Sequence, residues 1–372
     1  MANKINVLVA AIRNAPGKSC ADAKYAEMIA KSVSLNKNFN VKVDGGSTFG
    51  TTTKKDKIDI CLVPHGNRHL IHHAERFKSL DKICKNIWCI MSSPLLEYII
   101  FDREGYSGGN SLALRPEALD VESALEKNAE ATFAHLHKTY VTGNRSKYAQ
   151  PAQIRFKPKH PYILFLGQVS GDTACSFTHW PDPHGDTSVG YLKTLLNALP
   201  ILDSFGIPIL YKTHPKESSR HNKILNQILG AGTFKNVEIA GKVSVHEFMR
   251  EARAVVTVNS GAGFEALLHL KPVVTLGRVD YSRMTHNCKT SEDIKAALKF
   301  INCPPSEIQI KKFLHAYCST RYPAHGPDTY LRLTEHLLEL AQGTEDSVIY
   351  FLGRKGWNSR CVEWGGRDTQ GN

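Results

Sequence analysis

Three short segments place chemically active side chains directly after apolar, strand-like runs. Residues 167–172 form a glycine-flanked turn that ends in Asp172. Residues 211–217 carry His214 between two lysines and next to Pro215, which aims the histidine away from the strand end. A carboxylate at such a position suits a nucleophile or a general base. A histidine with lysines suits a phosphate or a carboxylate. An ordinary polar turn remains the alternative for both segments.

The third segment, residues 256–268, runs from a strand through small residues into a predicted helix. Free N–H groups at a helix start bind anions, and Ser260 adds a hydroxyl donor beside Asn259 and Gly261. Glu265, one turn into the helix, is within reach of a ribose hydroxyl. The segment is neither a Walker loop nor the dinucleotide-binding glycine pattern at its usual place. A tight turn with glycines for packing is the other interpretation.

A loop early in the chain offers a second acid. Residues 101–109 contain Asp102, Arg103, Glu104 and three glycines. One carboxylate of this loop, together with Asp172, would form a pair suited to glycosyl transfer. A solvated polar loop explains the same residues equally well.

A histidine cluster and scattered cysteines give weaker signals. His69 and His73 are four residues apart and would share a helix face, with His65 before them and His72 between them. This spacing suits a metal, but there is no His-Glu-x-x-His motif and no nearby cysteine pair, so we predict no metal site. The nine cysteines form no Cys-x-x-Cys motif, which favours reduced thiols in a cytoplasmic protein.

The elements that must position these residues alternate between strand and helix, which predicts an α/β fold with parallel sheets. Strands are expected at residues 5–12, 39–43, 58–63, 86–91, 162–166, 208–212, 237–239, 254–258 and 273–276. Helices are expected at residues 22–34, 95–101, 122–138, 188–205, 219–229, 245–251, 263–269, 291–300 and 328–342.

A segment rich in proline and glycine at residues 142–160 interrupts the alternation and is typical of a linker. We therefore predict a first domain at 1–150, a second at 151–342 and a tail at 343–372. Two parallel-sheet domains joined in this way would face a cleft. Ligands of such sheets bind at the carboxyl ends of strands, where the candidate residues lie.

The composition limits the class of partner. The chain has 372 residues, 42% of them hydrophobic, and no apolar stretch long enough for a membrane helix. Its formal net charge of +12 favours an anionic partner. Basic runs with interleaved aromatic residues are absent, so nucleic acid is not expected.

The three segments together resemble a known family. Gln168-Val169-Ser170-Gly171-Asp172, His214-Pro215 and the run from Asn259 to Arg278 are similar to motifs of bacterial retaining β-Kdo glycosyltransferases. These are the KpsC/KpsS-like capsule enzymes and the β-Kdo transferase domain of WbbB. The similarity is best over residues 162–281. The first-domain loop at Arg103-Glu104 matches more weakly, because the family has two acidic residues there.

The resemblance implies a GT-B fold with two Rossmann-like domains and a CMP-β-Kdo donor, without a metal or other cofactor. It implies transfer with retention in capsule or lipopolysaccharide synthesis. Asp172 matches the family's proposed nucleophile, and His214 matches a residue that contacts the donor phosphate. Further donor-binding residues are expected among Gln168, Lys212, Asn259, Ser260, Gly261 and Glu265.

The chemistry of the residues agrees with these implications. Retention at the Kdo anomeric carbon can use a carboxylate nucleophile, and Glu104 is the candidate for activating the acceptor hydroxyl. Arg278 is the candidate partner of the Kdo carboxylate. We expect a saccharide acceptor and contact with an anionic inner membrane face. Alternatives are a CMP-sialic acid transferase, a non-hydrolysing UDP-sugar 2-epimerase and a non-enzymatic protein that binds anionic polymers.

Overall fold

The structure, a computed structural model, describes residues 4–10, 30–31, 33–44, 57–64, 66–95, 98–152, 155–230, 234–323 and 337. The chain divides into two compact units, which are described separately. Unit 1 contains the described residues up to Ser111 and those from Thr320 onward. Unit 2 contains the described residues between them, from Leu112 to Ser319.

Unit 1 is built on a six-stranded sheet in the order β12-β5-β4-β3-β1-β2. Strands β1 to β4 are parallel, whereas β5 runs antiparallel to β4, and β12 runs antiparallel to β5. Its strands and its eleven-residue helix are β1 (Ile5–Ala10), β2 (Phe39–Asp44), β3 (Ile60–Pro64), α1 (Ile71–Asp81), β4 (Ile87–Ser92), β5 (Tyr98–Asp102) and β12 (Tyr322–Pro323).

The strand β5 corrects the helix predicted at residues 95–101. A short apolar run does not distinguish a strand from a buried helix turn. The aromatic and β-branched residues of Tyr98–Asp102 favour the pleated form. Because this strand is antiparallel to β4, the sheet of unit 1 is mixed and not wholly parallel.

Unit 2 contains a six-stranded parallel sheet in the order β11-β10-β9-β6-β7-β8. Its strands are β6 (Ile163–Leu166), β7 (Ile209–Lys212), β8 (Val237–Ile239), β9 (Ala254–Thr257), β10 (Val273–Thr275) and β11 (His286–Asn287). Its helices are α2 (Ser111–Leu114, which begins at the end of unit 1), α3 (Glu126–Leu136), α4 (Thr187–Asp203), α5 (Ser219–Gly230), α6 (Val245–Glu251), α7 (Gly261–Leu267), α8 (Ser291–Asn302) and α9 (Glu307–Ser319). This is a Rossmann-like arrangement, as predicted.

The order of strands in unit 2 creates a switch point. From β6 the chain moves outward through β7 and β8, then returns to β9 on the other side of β6 and continues to β10. The turns that follow β6 and β9 therefore leave the same edge of the sheet in opposite directions. Open α/β sheets bind ligands in the crevice that forms at this point.

The core of unit 2 explains why its strands were easy to predict. Strands β6 and β9 are buried on both faces, and Ile163, Phe165, Ala254 and Val256 pack in one hydrophobic cluster with α4 and α8. Strands buried in this way appear as continuous apolar runs in the sequence. Their predicted bounds differ from the observed ones by one residue at one end.

The segment predicted as a linker packs on unit 2. Asn144 accepts a hydrogen bond from the Ser244 hydroxyl at 2.6 Å, and Gln150 accepts one from the Val245 amide at 2.9 Å. Helix α3 lies against α9, where Lys311 pairs with Glu130 at 3.0 Å. Unit 1 consequently ends at Ser111, earlier than the boundary expected at residue 150.

Several expectations lie outside the described residues. These are most of the helix at 22–34, the helix at 328–342 apart from Leu337, and the tail at 343–372. Within the described part of the chain, no helix combines the length and the apolar character needed to cross a membrane.

Candidate functional site

Gln168 and Asn259 join the two turns at the switch point. The Gln168 side-chain amide donates to Oδ1 of Asn259 at 2.6 Å, and the Asn259 backbone N–H donates to Oε1 of Gln168 at 3.2 Å. Asn259 also donates through Nδ2 to the carbonyl of Ala174 at 2.6 Å. Both side chains are buried. We predicted them as donor-binding residues, and in the structure they hold the β6 and β9 turns together.

Asp172 lies at the exposed end of the β6 turn. One carboxylate oxygen accepts a hydrogen bond from the Ala174 amide at 2.9 Å and so caps the short helix Thr173–Phe177. Capping of this kind fixes the carboxylate relative to the backbone. The second oxygen has no hydrogen-bond partner among the described residues, so it is accessible to a substrate.

Glu217 holds the Asp172 turn to the His214 turn. It accepts hydrogen bonds from the Ser170 amide at 2.8 Å and from the Ser218 amide at 2.7 Å, and its side chain is only 2% exposed. The Ser170 hydroxyl lies 2.6 Å from Nδ1 of His221. We did not predict this role. The only available signal was an acid in the same turn as His214 and Pro215.

His214 presents a hydrogen-bond donor. Its Nδ1 accepts from the Lys216 amide at 3.0 Å, which assigns the proton of the neutral ring to Nε2. Burial lowers the pKa of His214, although the charges of Asp172 and Glu217 oppose this shift. The neutral imidazole with an Nε2–H group is therefore favoured near neutral pH.

Lys212 and Tyr148 flank this histidine. The Lys212 ammonium lies 5.1 Å from the centre of the Phe248 ring, and burial lowers its pKa. The Tyr148 ring meets His214 edge to face with centroids 4.9 Å apart. Burial and the charge of Asp172 raise the pKa of Tyr148. Because Tyr148 lies in the segment expected to be a linker, we did not predict it.

The β9 turn starts helix α7 as predicted. The Ser260 hydroxyl oxygen caps the helix by accepting from the Ala262 amide at 3.2 Å, and Gly261 is the first helical residue. Gly263 is required for packing, because a Cβ there would lie within 2.4 Å of the Tyr281 hydroxyl. The glycine-packing interpretation is therefore correct for Gly263, and the helix begins two residues before its predicted start at residue 263.

Glu265 does not reach an open face of α7. Its side chain is buried, and Oε1 accepts from the Ser146 hydroxyl at 2.8 Å. Its other oxygen lies 3.9 Å from Nε2 of His246 and has no hydrogen-bond partner. Burial raises the pKa of Glu265 to about 7. The predicted contact with a ribose hydroxyl does not fit this position, since Ser146 and His246 surround the carboxylate.

Arg278 supplies a cation beyond the carboxyl end of β10. Its guanidinium lies 5.4 Å from the centre of the Phe177 ring and is half-buried. Burial lowers its pKa, but an arginine stays charged at neutral pH. No ion pair engages Arg278 within the described part of the chain, so the charge is available to an anionic ligand.

Glu104 belongs to unit 1, and its position depends on the buried carboxylate of Asp102. Asp102 accepts hydrogen bonds from the amides of Glu104, Gly105 and Ser111 at 2.8, 3.1 and 3.0 Å. These bonds fix the loop and leave Glu104 at its surface. The Glu104 carboxylate lies 3.1 Å from Nε2 of His69, and about a third of each side chain is exposed.

The predicted histidine cluster does not form a helix face. Helix α1 begins at Ile71, so His69 precedes it, while His73 is buried inside it. His65 and the side chain of His72 lie outside the described residues. Among the described residues, no group of three or more histidine, cysteine or acidic side chains is arranged to hold a metal ion.

Comparisons with known proteins agree with this architecture. Residues 123–287 match the family model for capsule polysaccharide biosynthesis proteins. No curated protein matches the chain significantly.

Two solved structures of Thermosulfurimonas dismutans KpsC match most of the chain. The β-Kdo 2,7 transferase is 17% identical, with a TM-score of 0.50 over 84% of this chain and 90% of that one. The β-Kdo 2,4 transferase is 14% identical, with a TM-score of 0.50 over 89% and 97%.

A UDP-GlcNAc 2-epimerase from Methanocaldococcus jannaschii is 12% identical, with a TM-score of 0.36 over 90% of this chain and 99% of that one. At 17% and 14% identity, the KpsC structures show a shared fold. Together with the family match, the KpsC structures confirm the resemblance predicted from the motifs, to KpsC-like enzymes of capsule polysaccharide synthesis.

Proposed function

We propose that this chain is a retaining glycosyltransferase that moves Kdo from CMP-β-Kdo to a saccharide acceptor. Asp172 would be its nucleophile. The observation that carries the proposal is the setting of Asp172 at the switch point. Its carboxylate is exposed, anchored through one oxygen, and close enough to Tyr148 and His214 to shift their pKa values.

In the first step one bond forms and one bond breaks. A carboxylate oxygen of Asp172 attacks the anomeric carbon of Kdo, and the bond from that carbon to the CMP phosphate oxygen breaks. The electron pair leaves with CMP, and a covalent glycosyl ester remains on Asp172. In the second step the acceptor oxygen attacks the same carbon and the ester oxygen leaves, so that two inversions give retention.

In the first step, the protein must mainly stabilise the negative charge that develops on the leaving group. CMP carries a phosphate that gains charge as the bond breaks, and preorganised donors stabilise such charge. Lys212 is the last residue of β7 and His214 follows it at the same sheet edge, so the Lys212 ammonium and the Nε2–H group of His214 are suited to this task. Both groups act without a metal ion.

Two further residues have proposed roles. Arg278, a half-buried cation without an ion pair in the described chain, would bind the Kdo carboxylate. Glu104 would accept the proton of the acceptor hydroxyl in the second step. The support for Glu104 is its partly exposed position on a loop that Asp102 fixes through hydrogen bonds to the backbone.

The net charge of +12 supports anionic partners in general. A CMP-sugar donor, an acceptor bearing Kdo or phosphate, and the anionic face of the inner membrane all meet that condition. We therefore propose a cytoplasmic enzyme that contacts the membrane at its surface.

Intact mass spectrometry with CMP-Kdo generated in situ tests the proposal. Wild type is expected to gain the mass of one Kdo residue, and Asp172→Asn is expected to gain none. Asp186→Asn is the matched control, because Asp186 is also exposed and also caps a helix of unit 2. This control should form the adduct as wild type does.

Nucleotide-dependent thermal stabilisation separates the alternatives. CMP is expected to stabilise the chain, whereas the epimerase hypothesis predicts stabilisation by UDP. An absence of both the adduct and the CMP effect would overturn the donor assignment. Stabilisation by CMP with an unchanged adduct in Asp172→Asn would reject Asp172 as the nucleophile.

A further inference from the structure

A cavity of about 430 Å³ opens in unit 2, away from the candidate site. Its walls come from the end of α3, the π-helical turn His137–Thr142, the end of α6 and residues 268–271. Helix α7 starts at the carboxyl end of β9, and residues 268–271 lead from its other end into β10. The cavity therefore lies at the amino edge of the sheet, opposite Asp172. Its volume lies in the range of small-ligand sites.

Four basic side chains line this cavity: His137, Arg250, His269 and Lys271. Arg250 is paired with Glu247 at 2.6 Å. Lys271 is half-buried, and no ion pair engages it among the described residues. Burial lowers the pKa of Lys271, and the charge of Glu251 opposes that shift from beyond ion-pair distance.

The electrostatics of His269 show that positive charge converges here. Burial and, to a smaller extent, the nearby charges of His246, His137, Arg250 and Lys271 together lower its pKa to about 3, so the His269 ring is neutral near neutral pH. Glu247 and Glu251 are the acids that act on this group of cations. A bound anion would offset the positive charge of Arg250 and Lys271 at the cavity.

The remaining wall is apolar. Phe133, Val141, Leu268 and Leu270 line it between the basic groups. Leu270 has a φ of 54°, a left-handed conformation that is costly for a residue other than glycine. A ligand that fits both kinds of wall carries an anionic group on a carbon framework.

We propose that this cavity binds a phosphate monoester. Lys271 and Arg250 would contact the phosphate, and Phe133 and Leu268 would pack against the organic part. A dianionic phosphate suits two neighbouring cations better than a single carboxylate does. The site is separate from the donor site and does not depend on the proposed transferase function.

Titration calorimetry of the full chain with phenyl phosphate tests the proposal. Thr142 lines the cavity and is exposed, so Thr142→Glu adds a negative charge at its mouth without changing the core. Thr142→Gln is the matched neutral control. We expect the Glu variant to lose about tenfold in affinity and the Gln variant to stay within about twofold of wild type.

Lys271→Met provides a second test, with Lys223→Met as its control. Lys223 is an exposed lysine of α5 and does not line the cavity. We expect a loss of about tenfold for Lys271→Met alone. If that variant does not fold, the Thr142 pair decides by itself. Equal affinities for wild type, Thr142→Glu and Thr142→Gln would overturn the proposal, as would an absence of binding by wild type.

Vesicles identify the source of the phosphate. Phosphatidic acid, whose headgroup is a phosphate monoester, is mixed into phosphatidylcholine vesicles and compared with pure phosphatidylcholine by co-sedimentation. Binding to the anionic vesicles that Thr142→Glu abolishes and Thr142→Gln preserves supports a lipid headgroup as the ligand. Binding of phenyl phosphate in solution without such vesicle binding supports a soluble phosphate ester.

Discussion

Each unit has a loop in which a buried carboxylate holds the backbone and a second carboxylate is accessible to solvent. The two loops differ in what surrounds the accessible carboxylate. In unit 2, buried Glu217 holds the turn that carries Asp172. In unit 1, buried Asp102 holds the turn that carries Glu104. Glu104 is paired with His69, whereas a backbone amide is the one partner of the Asp172 carboxylate among the described residues. An unpaired, anchored carboxylate suits attack on carbon, and a carboxylate beside a histidine suits proton transfer.

The comparison predicts the largest effect for the exposed acid of unit 2. Asp172→Asn is expected to lower Kdo transfer by about a thousandfold or more, because an amide cannot form the glycosyl ester. Glu104→Gln should lower it less, by about a hundredfold, as expected for loss of a general base. Turnover of both variants with CMP-Kdo checks the order. Since Asn also caps helices, the melting temperature of Asp172→Asn should stay close to that of wild type.

Substitution of the buried acid in unit 2 should combine two smaller effects. Glu217→Gln weakens the bonds to Ser170 and Ser218, so we expect a loss of about 1–3 kcal/mol in the free energy of unfolding. Displacement of the Asp172 turn should also lower turnover by about a hundredfold. Urea unfolding and steady-state kinetics measure both. Glu238→Gln, at an exposed acid in β8, is the control. Equal losses of stability and turnover in the two variants would show that Glu217 does not hold the Asp172 turn.

Glu265 is a third buried acid. Unlike Glu217 and Asp102, it does not hold a loop that carries a candidate catalytic carboxylate. Burial raises its pKa to about 7, so folding favours the protonated carboxyl. Its contribution to stability is complete below its ordinary pKa of about 4.5 and is lost as the pH rises through about 7. Relative to Glu265→Gln, wild type should gain up to about 3 kcal/mol between pH 7.5 and 4.5.

Thermal or urea unfolding of both proteins across that range measures the difference. His246 and His269 have lowered pKa values, so they stabilise the fold above their ordinary pKa and lose that effect in acid. Both histidines are present in wild type and in the variant, and their effect largely cancels. A difference that does not change with pH would show that Glu265 is not protonated in this range.

The smallest effect is expected from the partner of Glu104. His69→Gln removes an ion pair in which about a third of each side chain is exposed. Such surface pairs contribute about 0.5 kcal/mol or less to the free energy of unfolding. Chemical denaturation should therefore detect little change. A loss as large as that of Glu217→Gln would mean that His69, and not Asp102, holds the unit 1 loop.

Sequence patterns predicted the sheet edge of unit 2 well. Buried parallel strands read as apolar runs, so β6, β7 and β9 and the turns after them were located within a residue. The helix after β9 was also predicted, although Ser260 was expected as a hydroxyl donor to an anion and caps this helix in the structure. Such features depend on neighbours in the chain, which a single sequence shows.

Long-range partners could not be predicted in the same way. Glu217 meets Ser170 across 47 positions, and Glu265 meets Ser146 across 119. Nothing in the local sequence of Glu265 shows that Ser146 covers it. The strand Tyr98–Asp102 was missed for a related reason. Its aromatic and β-branched residues favour a strand, but a run this short also fits a helix turn, and its pairing with β4 is a long-range feature.

The attachment of residues 144–150 to helices α6 and α7 has a practical consequence for protein engineering. Asn144, Ser146 and Gln150 each form a hydrogen bond with a residue about a hundred positions further along unit 2. Their partners are Ser244, Glu265 and Val245. A chimera that exchanged units with a relative at residue 150 would separate these residues from their partners and expose the Glu265 carboxylate. Crossovers beside Ser111 and Thr320 keep every one of these bonds within a single parent.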